Sequence, residues 1–496
     1  MSASKELSNE LMPELIPNPR NLTMLTDFYE LTMSNGYLMH GIGDRVAVFD
    51  MFFRKIPNEG GFAIFAGLEQ LIDYLKNLKF TQQDIDYLRS KNSFSEEFLD
   101  YLLHFEFQCD IWSVKEGTPI FPNEPVVVVR GPIIQAQLVE TMVLLTINHQ
   151  SLVATKANRI VRAAAGRPVF EFGSRRAQSY DAAILGARAA YIGGCAATAC
   201  AIADRDYQIP AVGTMAHSWV QLFDNEYDAF KKYCELYPDN CTLLIDTYNV
   251  LKSGVPNAIK VFNEVLLPMG YRPKGVRIDS GDIAYLSKKT RKLLDEAGFS
   301  DVKIVASNSL DENIIRDLLL QGAQIDLFGV GENLITSKSD PVFGGVYKLA
   351  AIQNEDGSYL PKIKVSESIE KITTPDFKTF YRFFNNENGQ AVADYVTLYD
   401  EEVDTAKPIT IFDPVATGKK KTLTNVTAKR MLESIFEKGK CVYESPSLHD
   451  IKKYCEEQVD LLWEEVKRFE HPHRYYVDLS EKLWNIKEKL LSEVQL

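Results

Sequence analysis

The sequence has no hydrophobic run long enough to cross a membrane. Its best apolar stretch is Met142–Ile147, whereas a spanning helix needs about 20 apolar residues. The first twenty residues, MSASKELSNELMPELIPNPR, contain no apolar core of a secretion signal and are expected to form a polar arm. Positive charge is also scarce, because 55 Lys and Arg face 68 Asp and Glu, a net charge of −13. We therefore expect neither nucleic acid nor membrane among its partners.

Cysteine is sparse and dispersed. The seven cysteines form no C-x-x-C pair, and their number is odd. This pattern fits reduced thiols in a cytoplasmic protein better than a disulfide framework or a zinc site, so we predict a cytoplasmic location and no metal-ligand cluster. The sequence also lacks an early G-x-G-x-x-G with an acidic residue about 20 positions later, and it lacks a P-loop. Dinucleotide-binding and P-loop nucleotide sites are therefore disfavoured.

The middle of the chain alternates between short apolar segments and helical ones. Six strands are predicted: Val169–Phe172, Pro210–Val212, Thr242–Asp246, Gly275–Asp279, Lys303–Ala306 and Asp326–Val330. Five helices are predicted between them: Asp181–Tyr191, Asn225–Leu236, Asn257–Leu267, Ala284–Ala297 and Glu312–Gln321. This alternation favours an α/β fold with a parallel sheet, either a barrel or a doubly wound sheet.

The pattern changes on either side of this region, which divides the chain into four parts. We predict an N-terminal α/β flanking region (1–138), an irregular parallel βα barrel (139–345), a β-rich region that packs with the flanking region (346–440) and a C-terminal helical extension (441–496). In the extension, helices are predicted at Ser447–Phe469 and Leu479–Val494.

Charged residues and glycines lie at or just after the ends of the predicted strands. The carboxyl ends of parallel strands meet at one edge, so six residues are expected at a common mouth: Arg175, His217, Asp246, Arg277, Asp279 and Gly331. Active sites of βα barrels have this layout. A histidine taken alone is more often structural, so the expectation that His217 does chemistry depends on its neighbours.

The segment VRIDSGD (276–282) ends one of these strands. Arg277 and Asp279 are two residues apart, so their side chains point to the same side of the strand. They could form a structural ion pair. Alternatively, Asp279 accepts hydrogen bonds from sugar hydroxyls while Arg277 serves an anionic or aromatic group.

Two other strand ends carry groups suited to anions. Gly329 and Gly331 in DLFGVGEN could expose backbone amides to a phosphate, although a plain tight turn has the same signature. Ser307 and Asn308 add polar donors at the neighbouring strand end. In FEFGSRRAQ (170–178), Arg175 or Arg176 could bind a small carboxylate beside an aromatic ring, or be a surface arginine near a core phenylalanine.

Together these groups suit a phosphorylated sugar and an aromatic acid. The ordered motifs also resemble those of the nicotinate phosphoribosyltransferases. The resemblance covers roughly residues 21–349 and is carried by DFYELTM (27–33), FEFGSRRAQ (170–178), GTMAHS (213–218), LIDTY (244–248), SGVPNA (253–258), VRIDSGD (276–282), FGVGE (328–332) and GGVYKL (344–349).

The resemblance implies an irregular α/β barrel of the type II phosphoribosyltransferase kind and a homodimer with shared active sites. It implies that nicotinate and 5-phosphoribosyl 1-diphosphate give nicotinate mononucleotide and diphosphate, the first step of NAD salvage from nicotinate. ATP as co-substrate and Mg²⁺ bound with diphosphate or ATP are implied as well, which corresponds to a ligase-type classification.

The resemblance also implies a role for each matching residue. Tyr29 of a partner subunit and Phe172 would stack on the two faces of the pyridine, and His217 would be phosphorylated. Three residues would hold nicotinate and the ribose that bears the diphosphate: Arg175, Thr214 and Arg277. Asp279 would bind ribose hydroxyls, and the 5-phosphate would lie on Gly329, Gly331 and the backbone of Glu332. Relatives often carry threonine where this chain has Glu332, so contact there is expected through the amide.

Two alternatives stay open. The first is a type II phosphoribosyltransferase acting on nicotinamide or quinolinate, and the GTMAHS segment disfavours the quinolinate enzyme. The second is an inactive relative that serves as a binding or scaffold protein. The presence of His217, Arg277 and Asp279 disfavours that reading.

Overall fold

The computed structural model describes residues 21–494, so the predicted arm at 1–20 lies outside the described residues. The helices are α1 (Phe28–Met39), α2 (Leu68–Lys76), α3 (Gln82–Ser90), α4 (Glu96–Leu103), α5 (Ile133–Leu138), α6 (Glu140–Ala163), α7 (Tyr180–Ile192), α8 (Ala201–Tyr207), α9 (His217–Gln221), α10 (Glu226–Leu236), α11 (Val255–Val261), α12 (Ile283–Glu296), α13 (Glu312–Leu320), α14 (Glu332–Ile335), α15 (Leu448–Asp460) and α16 (Glu481–Glu493).

The strands belong to five sheets. They are β1 (Val46–Phe53), β2 (Ala63–Ile64), β3 (Asp110–Ser113), β4 (Pro119–Ile120), β5 (Val127–Pro132), β6 (Val169–Glu171), β7 (Ala197–Thr198), β8 (Thr242–Leu244), β9 (Gly275–Ile278), β10 (Lys303–Ala306), β11 (Leu327–Val330), β12 (Gly345–Gln353), β13 (Tyr359–Pro361), β14 (Lys378–Asn385), β15 (Ala391–Leu398), β16 (Ile409–Phe412), β17 (Lys420–Leu423), β18 (Val426–Arg430), β19 (Glu433–Glu437), β20 (Lys440–Cys441) and β21 (Val477–Leu479).

The central sheet is parallel and has the order β7-β6-β11-β10-β9-β8. It curls into half of a barrel, which confirms the predicted α/β fold class. Along β9, Val276 and Ile278 are fully buried in the core, while Arg277 between them is only partly buried. The alternation that the sequence predicted therefore sends Arg277 away from the apolar core and toward the mouth.

Five of the six predicted strands and all five intervening helices are present, with bounds within about two residues except where α11 continues as π-helical turns. The prediction of a buried strand at Pro210–Val212 is wrong. Ala211 makes a single parallel bridge with Thr198, and both Pro210 and Ala211 are exposed. The two-residue strand β7 lies between this segment and β6, and beyond Ala211 the chain reaches the end of β9, where Thr214 and Met215 contact Arg277.

A seven-stranded sheet unites residues from both ends of the chain. Strand β1 pairs antiparallel with β5 and β12, and β3 pairs antiparallel with β19. The segment after the half-barrel thus packs with the N-terminal segment through backbone hydrogen bonds. The domain boundaries themselves remain a prediction.

The C-terminal segment is less helical than expected. Helix α15 ends at Asp460, and Val477–Leu479 forms strand β21, which pairs in parallel with β15. Helix α16 begins two residues later because the Ser480 side chain accepts a hydrogen bond from the Leu483 amide and caps the first turn. No helix in the described part of the chain is long and apolar enough to cross a membrane.

Candidate active site

Arg277 hydrogen-bonds to several segments at the mouth of the half-barrel. Its Nε donates to Thr214 Oγ1 at 3.2 Å and its Nη2 donates to the Met215 carbonyl at 2.7 Å. Its Nη1 donates to Ser307 Oγ at 3.1 Å, at the end of β10. The Arg277 side chain thereby connects residues 214–215 to the ends of β9 and β10. Burial lowers the pKa of Arg277, and the charges of Asp279 and Asp246 partly oppose that shift.

Asp279 lies directly after β9 and shares this network. Its Oδ1 is 3.2 Å from Arg277 Nη1 and also accepts a hydrogen bond from the Ser307 hydroxyl. The ion pair considered from the sequence is therefore present. The pair also lines the mouth, since the Asp279 side chain is 32% exposed and its Oδ2 lies near Nε2 of His217 and not near Arg277. Asp279 therefore forms a structural ion pair and still presents a carboxylate oxygen to the mouth.

His217 is the first residue of α9. Its Nδ1 lies 3.1 Å from the Thr247 hydroxyl, and its Nε2 lies 3.7 Å from Asp279 Oδ2. The ring is 40% exposed, so it is accessible from the mouth. When Nδ1 donates to Thr247, the lone pair of a neutral imidazole is on Nε2. Thr247 had no predicted role, although it follows Asp246 directly in the LIDTY motif.

Asp246 follows β8 and supports the Asp279 loop. Its Oδ2 accepts from the Asp279 amide at 3.0 Å and from Ser280 Oγ at 2.6 Å. Its Oδ1 is buried and has no hydrogen-bond partner among the residues that the structure describes. The sequence placed Asp246 at the mouth without a role. The orphaned oxygen marks it as a residue able to bind a cation or a donor.

Phe172 lies against the glycines at the end of β11. A Cβ added at Gly329 would come within 2.5 Å of two Phe172 ring carbons, so the ring packs directly on the glycine backbone. At Gly331 an added Cβ would approach the Phe172 carbonyl oxygen at 3.1 Å. The absence of side chains at the two glycines therefore allows the Phe172 ring to pack on Gly329 and the Phe172 backbone to approach Gly331.

The two adjacent arginines after β6 face different partners. The positive charge of Arg175 lowers the pKa of Arg277. Arg176 Nε lies 3.9 Å from Glu332 Oε2, and Lys338 donates to the other oxygen of Glu332 at 2.7 Å. These two cations hold the pKa of the Glu332 carboxyl below its usual value and compensate its charge beside the glycine loop.

Two predicted residues stand apart from this network. Asn308 is exposed next to Ser307, with a left-handed φ of 89°. Tyr29 is 44% exposed on α1, where its hydroxyl hydrogen-bonds Glu140 of α6. Burial and the Glu140 charge raise the Tyr29 pKa. Its described contacts lie in α1 and α6, and none of them joins Tyr29 to the mouth of the same chain.

Known proteins resemble this chain over almost all of its length. It is 47% identical to a nicotinate phosphoribosyltransferase of Bacillus subtilis over 475 residues, which cover 96% of each chain. Three sequence profiles match in order: the nicotinate phosphoribosyltransferase N-terminal domain at 24–148, the nicotinate phosphoribosyltransferase family at 168–356 and the C-terminal domain at 377–487. The chain belongs to the nicotinate phosphoribosyltransferase family. The resemblance carried by the motifs is thereby confirmed.

A further relative and two solved structures extend the comparison. A Mycobacterium tuberculosis relative is 39% identical over 93% of this chain and 92% of its own length. The crystal structure of human nicotinic acid phosphoribosyltransferase superposes with a TM-score of 0.84 at 27% identity, covering 94% of this chain and 99% of that one. A nicotinate-nucleotide pyrophosphorylase from Pyrococcus furiosus, 23% identical with a TM-score of 0.67 over 91% of this chain and 99% of that one, shares the fold.

Proposed function

We propose that this protein joins nicotinate to 5-phosphoribosyl 1-diphosphate in the cytoplasm, giving nicotinate mononucleotide and diphosphate, as the first step of NAD salvage from nicotinate. The observation that carries the proposal is the contact network of His217, Asp279 and Arg277 at the mouth of the half-barrel. The relatives named above support the choice of substrates. Nicotinamide, quinolinate and a non-catalytic role are less well supported.

The reaction breaks the anomeric C–O bond, which builds positive charge on the ribose ring and negative charge on the departing diphosphate. Asp279 is suited to accept hydrogen bonds from the ribose hydroxyls, because its Oδ2 is directed away from Arg277. Arg277 is suited to stabilise the leaving group, because it is fixed by three neighbours before the charge develops. Ser307 orients both side chains, and Asn308 offers a further donor at the same strand end.

Nicotinate needs a flat slot and a cation, because its attacking nitrogen is neutral and requires only positioning. Phe172 supplies one face of the slot. Arg175 is the better candidate for the carboxylate, since Arg176 is directed toward Glu332. Thr214 completes this side of the site, and the amides at Gly329, Gly331 and Glu332 would hold the 5-phosphate.

The second face of the slot is assigned to Tyr29 of a second copy of this chain. Tyr29 is exposed on α1 and makes no described contact with the mouth of its own chain. A homodimer in which α1 of each copy covers the other copy's mouth would complete two equivalent sites.

His217 is assigned as the residue that ATP phosphorylates during turnover. Neutral Nε2 can attack the γ-phosphorus of ATP and displace ADP, which forms an N–P bond and breaks the P–O bond. The phosphoryl group would add roughly two negative charges at the mouth, by analogy with other phosphorylated side chains. Later hydrolysis of the N–P bond would drive product release.

Magnesium is expected to enter with diphosphate or ATP. Among residues 21–494, no group of three or more His, Cys, Asp and Glu side chains is arranged to hold a metal ion. Mg²⁺ typically takes one or two carboxylates plus substrate phosphates, and the orphaned Oδ1 of Asp246 beside Asp279 fits that requirement. The ion would neutralise charge on the diphosphate.

The test is a reconstitution with purified protein. Nicotinate and 5-phosphoribosyl 1-diphosphate should give nicotinate mononucleotide, and ATP with Mg²⁺ should accelerate its formation. Parallel reactions with nicotinamide and with quinolinate separate the related enzymes. If no pyridine is converted, the non-catalytic alternative gains support. If conversion is unaffected by ATP, the phosphohistidine assignment fails while the transferase assignment stands.

A further inference from the structure

A large cavity lies apart from the mouth. It encloses about 910 Å³ between the end of β1 and the segment that connects α15 to α16. Phe52, Phe121 and Tyr475 form aromatic parts of its wall, and none of its lining residues belongs to the mouth described above. Small-molecule sites typically enclose about 300–1,000 Å³, so the cavity can hold a ligand as large as a nucleotide.

A buried ion pair with one unused oxygen lines this cavity. Lys378 Nζ contacts Asp50 Oδ2 and donates to the Asp376 carbonyl at 2.7 Å. Asp50 and Lys378 are 3% and 2% exposed, yet Asp50 Oδ1 has no hydrogen-bond partner in the described part of the chain. A buried acceptor without a partner costs free energy. A ligand hydroxyl or amine that donated to Oδ1 would remove that cost.

The same cavity has an excess of positive charge around Lys487. No carboxylate of the described residues lies within ion-pair distance of its ammonium group, and the charges that act on it are those of Glu488 and Lys378. Burial and the like charge of Lys378 lower the Lys487 pKa. Holding two ammonium groups together in a partly buried cavity is unfavourable, and the attraction of a bound anion would offset that repulsion.

Two guanidinium groups also line the cavity. Arg54 uses Nε to donate to the Glu370 carbonyl at 2.8 Å, and its guanidinium group lies 5.4 Å from the centre of the Phe52 ring. Arg474 is 78% exposed and lies 3.6 Å from Asp413. Carboxylates of Glu59, Asp340 and Glu370 also line the cavity, so an anionic group is expected at Lys487, which no carboxylate of the described residues contacts.

We propose that this cavity binds a phosphorylated metabolite with free hydroxyl groups, of nucleotide size, at a site separate from the catalytic mouth. The phosphate would lie on Lys487, because an ammonium group without a carboxylate partner is suited to bind phosphate. A hydroxyl would donate to Asp50 Oδ1. The aromatic wall would cover the apolar part of the ligand.

Equilibrium dialysis of the full chain against labelled ATP, AMP or ribose 5-phosphate tests this site, with adenosine as the uncharged comparison. Lys487→Met keeps the aliphatic stem and removes the charge. It should weaken the binding of at least one phosphorylated probe about tenfold or more, because a charged hydrogen bond is lost. Lys489→Met is the matched control, since Lys489 lies on the same helix and is 75% exposed; it should leave binding unchanged.

The mouth is tested separately. Lys487-dependent binding should persist in His217→Ala and Asp279→Ala proteins, so it does not depend on the proposed phosphoryl transfer. The proposal is overturned if no phosphorylated probe binds, if adenosine binds equally well, or if Lys487→Met binds all probes like the unaltered protein. Binding lost only in the Asp279→Ala protein would assign the ligand to the mouth instead. Thermal unfolding of each variant verifies that it is folded.

Discussion

The Nε2 atom of His217 lies 3.7 Å from Oδ2 of Asp279, while the Thr247 hydroxyl holds the other ring nitrogen at 3.1 Å. The nitrogen proposed to carry phosphate therefore faces the carboxylate proposed to bind ribose. A phosphoryl group placed there would repel Asp279 and attract Arg277, which lies on the other side of the carboxylate. ATP use and ribose binding are thus expected to influence each other directly.

Replacing His217 with alanine should abolish phosphorylation of the protein by ATP. Incubation with γ-labelled ATP should leave an acid-labile, base-stable label on the unaltered chain and none on the His217→Ala chain, which should also lose ATP hydrolysis. A slow, ATP-independent transfer should remain in that variant. His104→Ala serves as the control, because His104 is 70% exposed and is the C-cap residue of α4, more than a hundred positions before His217 in the sequence. Undiminished labelling of the His217→Ala chain would show that another residue carries the phosphate.

Arg175 and Arg176 form a matched pair for the carboxylate of nicotinate. Arg175→Ala should raise the KM for nicotinate about tenfold or more, because a charged hydrogen bond to the substrate is lost. Arg176→Ala should change it little, since Arg176 is directed toward Glu332. Steady-state kinetics with nicotinate as the varied substrate measures both KM values. A larger rise in KM for Arg176→Ala would assign the carboxylate of nicotinate to Arg176 instead.

Much of the mouth was predictable because strand alternation is a local property. The two-residue spacing of Arg277 and Asp279 sufficed to place both side chains on one side of β9. The Gly-x-Gly at 329–331 was ambiguous in sequence, because a tight turn has the same signature. The reason for the glycines became visible only through the packing of Phe172, which directly follows β6, a strand that is distant in sequence but pairs with β11.

Other parts could not be read from local patterns. Pro210–Val212 has the composition of a buried strand, but Ala197–Thr198 lies between it and β6, so its pairing is limited to one bridge at an exposed position. A two-residue strand leaves no periodicity to detect. The orphaned oxygen of Asp246 is likewise a property of the assembled loops. The role of Tyr29 depends on a second copy of the chain, which sequence periodicity does not report.

Gly329 should not tolerate a side chain. In Gly329→Ala the new Cβ would come within 2.5 Å of the Phe172 ring and push it out of the slot. We expect a rise in the KM for nicotinate and a loss of about 1–3 kcal/mol in the free energy of unfolding, the usual cost of overpacking. Gly331→Ala is the milder comparison, because its closest approach is 3.1 Å to the Phe172 carbonyl. Equal kinetics for Gly329→Ala and the unaltered protein would contradict the slot assignment.

The shared-site assignment predicts that two variants, each impaired in ATP-dependent transfer, restore that activity when they are mixed. Mixed dimers of Tyr29→Ala and His217→Ala subunits contain one site that has both residues, provided that Tyr29 comes from the partner. Activity should therefore reappear after subunit exchange, at no more than a fraction of that of the unaltered dimer. Exchange is confirmed with differently tagged subunits. If exchange is complete and no activity returns, each site is built from a single chain.

Glu30 should make the stability of the protein depend on pH. The side chain is fully buried next to Tyr29, where Thr141 Oγ1 donates to it at 2.5 Å and Thr26 donates to its other oxygen. Burial raises the pKa of Glu30 from 4.5 to about 7, with smaller contributions from the charges of Glu140 and Asp27. The folded protein therefore keeps Glu30 protonated at pH values where the unfolded chain releases the proton.

The direction of the effect follows from this difference. The contribution of Glu30 to stability is fully present below pH 4.5 and is lost as the pH rises through about 7. The loss amounts to about 3 kcal/mol, from the 1.36 kcal/mol that corresponds to each pKa unit. Urea unfolding at a series of pH values should therefore show a flatter decline for Glu30→Gln than for the unaltered chain. Glu97→Gln, at an exposed position on α4, should keep the original slope. Identical slopes for all three proteins would mean that Glu30 ionises normally in the folded state.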